Sequence, residues 1–128
     1  MRLPRLVIPL LWLVLASGLM AAPALSSRAK TANASIRETG VHFFFKPRAL
    51  IIHRGDSVRW RWCPTTGGCS AEHNVVGFLK GHLNFKHPRN ASSTRGITAG
   101  SYSHRFTRAG TYRVFCTIHM FSMTVTVS

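Results

Sequence analysis

Cys116, His119 and Met123 fall within the eight residues Cys-Thr-Ile-His-Met-Phe-Ser-Met, and a second histidine, His73, lies far upstream in Glu-His-Asn-Val-Val. A thiolate, two neutral imidazoles and a distant thioether form the donor set of a mononuclear blue-copper site. The soft sulfur and two trigonal nitrogens serve Cu(I) and Cu(II) alike, and a long axial sulfur tunes the couple. That set points to electron transfer and away from hydrolysis. Only Glu38, Asp56 and Glu72 carry negative charge, and no two are placed for acid–base work, so an enzyme is not expected. Cys-x-x-His could also serve zinc together with Cys63 and Cys69. Copper ranks above zinc because those two cysteines, flanking Pro-Thr-Thr-Gly-Gly, are close enough to oxidise to a local disulfide.

Holding such donors requires a rigid scaffold, and 128 residues are enough for one domain with a core. Residues 1–24 are not part of it. Arg2 and Arg5 precede an apolar run at 6–19 and the small residues Ala21-Ala22-Pro23-Ala24, the layout of a secretory signal peptide. The run is short against the ~20 residues of a membrane span, so no stable span is expected after cleavage. The protein is therefore expected in the periplasm or outside the cell, where thiols oxidise. An unpaired Cys116 in that setting needs a reason, and metal ligation supplies one. Residues 25–37, small and polar, are expected to form a flexible extension, leaving 38–128 as the domain.

The formal charge is +14, from 17 Lys and Arg against 3 Asp and Glu. Loss of Arg2 and Arg5 leaves 14 − 2 = +12. Such a surface attracts acidic partners, with strong salt dependence, and does not call for a specific nucleic acid.

The remaining chain reads as short strands separated by turns. Strands are expected at 41–45, 49–53, 57–62, 74–79, 101–106, 111–116 and 123–127. The clearest is Ser-Val-Arg-Trp-Arg-Trp at 57–62, where Val58, Trp60 and Trp62 alternate with Arg59 and Arg61. Residues 80–97, rich in Lys, Arg, His, Asn and Ser, read as a long surface excursion with one short helical turn. Several short strands at this spacing predict an all-β sandwich.

These segments carry a resemblance. Gly-Asp-Ser-Val-Arg-Trp at 55–60, His-Asn-Val-Val at 73–76, Gly-Thr-Tyr at 110–112 and Cys-Thr-Ile-His at 116–119, in that order, resemble the cupredoxins. The likeness is to the small blue copper proteins of the plastocyanin, amicyanin and pseudoazurin group, and it spans roughly 41–127. It implies a Greek-key β-sandwich binding one copper ion through His73, Cys116 and His119. It also implies that Asn74 ties the two ligand loops together. For the axial ligand, Met123 stands at an azurin-like spacing from His119, whereas Met120 adjoins it and should point elsewhere. Counting back from the terminal Thr-Val-Thr-Val instead puts Phe121 where the methionine often stands. Met123 is the expected axial ligand. The resemblance further implies a monomeric one-electron carrier serving an acidic redox partner, such as a cytochrome or an oxidoreductase. A copper-delivery protein with the same ligands, or a basic cupredoxin-like binding module without a redox role, are the alternatives.

Overall fold

The computed structural model describes residue 22 and residues 27–128, so the expected signal peptide at 1–24, Ala22 apart, lies outside the described residues. Among the described residues there are nine strands and no helix. They are β1 (Thr31–Thr39), β2 (His42–Lys46), β3 (Ala49–Ile52), β4 (Ser57–Trp62), β5 (Val75–Leu79), β6 (His82–His87), β7 (Ser101–Arg105), β8 (Gly110–Cys116) and β9 (Phe121–Val127).

Two sheets form, in the orders β2-β1-β4-β7 and β3-β9-β8-β5-β6. Neighbours run antiparallel except β1 with β4 and β3 with β9. The chain leaves the first sheet at β3, returns at β4, leaves again for β5 and β6, returns at β7 and ends in the second sheet. This is a Greek-key sandwich.

Period-two alternation decides which side chains enter the space between the sheets. In β4, Val58, Trp60 and Trp62 are buried while Arg59 and Arg61 face solvent. In β8 the inward series is Tyr112, Val114, Cys116, and in β9 it includes Met123, Val125 and Val127. Cys116 is thus the last member of a core-facing row, which places its sulfur inside one end of the sandwich. Trp60, Phe45, Phe106, Ile36 and Val58 fill the interior and are fully buried.

Two expectations need correction. Residues 31–37 are not a flexible extension but most of β1, a central strand paired to β2 on one side and β4 on the other. Thr31 and Asn33 face outward and only Ala34 and Ile36 are buried, so the polar composition hid a strand held by backbone bonds on both edges. The excursion at 80–97 contains β6 and no helical turn. Its exposed face carries His82, Asn84 and Lys86, the polar dress of an edge strand. Phe85 is its one fully inward residue, with His87 half-buried against Trp62 and Tyr102, and the Phe85 ring occupies the space where any side chain on Gly77 of β5 would stand.

Candidate metal centre

His73 precedes β5, Cys116 ends β8, and His119 lies in the turn at 117–120 that leads into β9. The register explains their meeting. β5 and β8 are antiparallel neighbours, with Val76 opposite Phe115, so the start of one lies beside the end of the other. The turn is closed by Met120 N–H donating to the Cys116 carbonyl at 2.8 Å, with Met120 in the left-handed region at φ 58°.

The three side chains converge on one point. Cys116 Sγ lies 3.7 Å from His73 Nδ1 and 3.9 Å from His119 Nδ1, and the two Nδ1 atoms are 3.1 Å apart. An ion with three ligands in a plane, ~2.0 Å from nitrogen and ~2.3 Å from sulfur, needs edges of roughly 3.5 Å between nitrogens and 3.7 Å between nitrogen and sulfur. The observed edges lie close to these values. His73 and Cys116 are fully buried, and His119 is the least buried of the three. Cys63 and Cys69 are joined in a disulfide, which leaves Cys116 as the free thiol and removes the other two cysteines from any zinc site.

The ring of His73 is aimed from behind. Its Nε2 lies 2.9 Å from Glu38 Oε1 at the end of β1, leaving Nδ1 to face the other donors. Burial lowers the His73 pKa, partly offset by the bond to Glu38, so the imidazole is neutral near pH 7 and its lone pair is free. For Glu38, burial acts to raise the pKa. Hydrogen bonds from the Ser70 hydroxyl, the Ser70 and Ala71 N–H groups and His73 outweigh it and hold the carboxyl at about 2.

The backbone of His73 is fixed as firmly as its ring. Its N–H donates to the Ile97 carbonyl at 2.9 Å, and its own carbonyl accepts from Ile97 N–H at 2.9 Å and from Trp62 Nε1 at 3.0 Å. Gly96 lies so close that an added Cβ would stand 2.5 Å from the His73 carbonyl oxygen. The implied role of Asn74 is visible in contacts. Its Oδ1 accepts from Thr117 N–H at 2.8 Å, and its Nδ2 donates to the carbonyls of Ser92 and Arg95 at 2.8 and 2.9 Å.

Met123, the expected axial ligand, has its thioether engaged by an indole N–H. It is buried opposite Val114, one inward step below Cys116, and its Sδ accepts from Trp60 Nε1 at 3.2 Å. The rings beside the imidazoles are Phe121, 5.5 Å from His73, and Phe43, 5.0 Å from His73 and 4.4 Å from His119. Met120 turns to solvent, 70% exposed.

A family model described as copper binding proteins, plastocyanin/azurin family, matches residues 32–128. The chain belongs to this family. Copper is accordingly the cofactor that the three donors fit. The match begins inside β1, as expected if that strand is part of the domain.

Solved cupredoxins share the fold. The purple cupredoxin of Nitrosopumilus maritimus is 26% identical with a TM-score of 0.54, over 76% of this chain and 99% of that one. The oxidised plastocyanin of Dryopteris crassirhizoma is 19% identical with a TM-score of 0.57, over 76% and 100% of the two chains. The pseudoazurin of Methylobacterium extorquens AM1 is 21% identical with a TM-score of 0.52, over 77% and 75%. No curated protein sequence gives a significant match.

Sequence reasoning missed Glu38, Gly96 and the ring of Phe43 as parts of the site. For Glu38 a signal was present: it is one of only three acids in a chain of formal charge +14.

Proposed function

We propose that the protein is an exported one-electron carrier, cycling between Cu(II) and Cu(I), and not an enzyme. The observation that carries this reading is the triangle of one sulfur and two nitrogens with edges of 3.1, 3.7 and 3.9 Å. His73, Cys116 and His119 are the proposed ligands. Copper bound there supplies a one-electron couple.

The chain's own residues do the rest. Fixing the His73 backbone and the Asn74–Thr117 link keeps the donors in place when the charge of the site changes, which limits rearrangement. Trp60 keeps Met123 in the core, which supports three donors rather than four. His119 is the proposed exit for the electron, because it is the donor nearest solvent. Phe43 packs against it with the two rings tilted by 50°, and two exposed apolar residues, Met120 beside it and Val41 in the β1–β2 turn, lie at the same end. An apolar rim of this kind suits brief docking. The excess of basic groups steers an acidic redox partner, a cytochrome or an oxidoreductase, to a monomer in the periplasm or outside the cell. Among the described residues no helix is long and apolar enough to cross a membrane.

Voltammetry of the copper-loaded protein tests this. A reversible one-electron wave with slow metal loss is expected, together with an intense thiolate-to-copper absorption band that disappears in Cys116→Ala. Rapid copper transfer to an acceptor with no reversible wave would instead make it a delivery protein.

A further inference from the structure

Among the described residues, the one carboxylate within 4 Å of a basic side-chain nitrogen is Glu38, and that nitrogen belongs to the neutral His73. In a chain with 17 Lys and Arg, a carboxylate has been set against a proposed copper ligand rather than against a cation. Its side chain is 14% exposed and that of His73 is 0% exposed.

The carboxylate is itself held. Oε2 accepts from Ser70 N–H at 2.8 Å and from the Ser70 hydroxyl at 2.6 Å. Oε1 accepts from Ala71 N–H at 2.8 Å and lies 2.9 Å from His73 Nε2. Four donors thus converge on two oxygens. Ser70 and Ala71 directly follow Cys69, whose disulfide to Cys63 closes the loop. That loop is pinned to the sandwich by Cys63 N–H on the Ile36 carbonyl at 2.9 Å and Cys69 N–H on the Thr98 carbonyl at 2.6 Å. Glu38 therefore links β1, the disulfide loop and His73.

We propose that Glu38 is the positioning residue of the copper site, fixing His73 as the tautomer with the proton on Nε2 and Nδ1 turned to the metal, and favouring Cu(II) over Cu(I). This rests on the copper reading above. The first effect is geometric: a proton shared with the carboxylate cannot sit on Nδ1, so the lone pair is presented to the ion. The second is electrostatic. A thiolate and two neutral imidazoles leave one positive charge around Cu(II) and none around Cu(I), so a fixed negative charge behind His73 stabilises the oxidised form more. A backbone carbonyl in the same place would do the first job but not the second.

Two measurements test the proposal. Long-range proton–nitrogen NMR of the metal-free protein at pH 8 is expected to show His73 protonated at Nε2; protonation at Nδ1 overturns the assignment. This result does not depend on copper. In the second, E38Q keeps the shape and an oxygen that can accept from Nε2–H, but removes the charge. E38Q is expected to lose about tenfold of the preference for Cu(II), which raises the reduction potential by about 59 mV, with the thiolate band retained. A purely structural Glu38 would change melting temperature and leave the potential where it was, which overturns the electrostatic half. E38D restores the charge and is expected to bring the potential back toward that of the unaltered protein; it also serves if E38Q does not fold. Should the unaltered protein bind copper with no thiolate band, the copper reading fails while the NMR result still judges Glu38.

Discussion

Asn74 holds Thr117 across the gap between the two ligand segments, its Oδ1 accepting from Thr117 N–H at 2.8 Å. The residue after one proposed copper ligand, His73, is therefore bonded to the residue after another, Cys116. Because Asn74 also donates to the carbonyls of Ser92 and Arg95, a single buried amide fastens three loops.

Asn74→Ala removes those bonds and leaves the part-buried Thr117 N–H without its acceptor, while the Ser92 carbonyl keeps only the Thr117 hydroxyl at 3.0 Å and the Arg95 carbonyl only Ser92 N–H at 3.4 Å. A buried group left unpaired costs roughly 1–3 kcal/mol. We expect urea unfolding of the metal-free variant to show a loss of about 3 kcal/mol, with copper released faster from the loaded form. Unchanged unfolding and release would mean that the link carries no load.

Gly96→Ala tests the backbone behind His73 without touching any donor. The added methyl would stand 2.5 Å from the His73 carbonyl oxygen, and that carbonyl cannot yield without straining its bonds to Ile97 and Trp62. Overpacking of this kind costs about 1–3 kcal/mol. Copper titration should show weaker binding and thermal melting a lower midpoint. Wild-type affinity would show that the segment around 96 shifts freely.

Met123→Leu separates a core role from an axial one. Leucine replaces methionine at under about 1.5 kcal/mol in most cores, and the unpaired Trp60 N–H adds roughly 1–3 kcal/mol. Stability should therefore fall, while the visible spectrum, the copper hyperfine splitting and the reduction potential stay as they were. A clear change in the potential and in the absorption ratios would restore Met123 as an axial ligand.

Acid should weaken the metal-free protein in two stages. Burial lowers the pKa of His73, His87 and His104, so the unfolded chain takes up protons that the folded one resists. Stability then falls as pH drops below the ordinary histidine value of ~6.5. The carboxyls of Glu38 and Asp56 are depressed, Glu38 to about 2, so their contribution is present above the usual carboxylate range and is lost as pH falls toward the folded values. Urea midpoints at pH 8, 6, 5 and 3 should decline across the whole series. A midpoint that is flat from 8 to 5 would contradict the first stage.

The strands that were legible were those whose side chains alternate. β4 announced itself through Val58, Trp60 and Trp62, and the observed span is the expected one. β1 was not legible, because Thr31, Asn33, Ser35 and Arg37 dominate its composition while its partners lie in β2 and β4, remote in sequence. β6 was hidden for a related reason: at a sheet edge only Phe85 needs to be buried.

At the site, His73, Cys116 and His119 were readable because their types and order already restrict the chemistry. Glu38 was not, since its contact to His73 spans 35 residues and no local pattern marks it. Charge economy was the available clue. Glu38 accepts from Ser70 and Ala71, Asp56 from the N–H groups of Lys30 and His53, and Glu72 from Gly96 N–H. In so basic a chain, each acid has been placed where backbone donors need an acceptor. Met123 was chosen on its distance from His119 along the chain, a spacing that says nothing of its inward partner, the Trp60 indole N–H.

X-ray absorption at the copper edge of the loaded protein tests the central claim most directly. The account predicts one short copper–sulfur bond and two imidazole nitrogens at the metal, with the sulfur contribution lost in Cys116→Ser. A first shell of nitrogen and oxygen alone in the unaltered protein would contradict it.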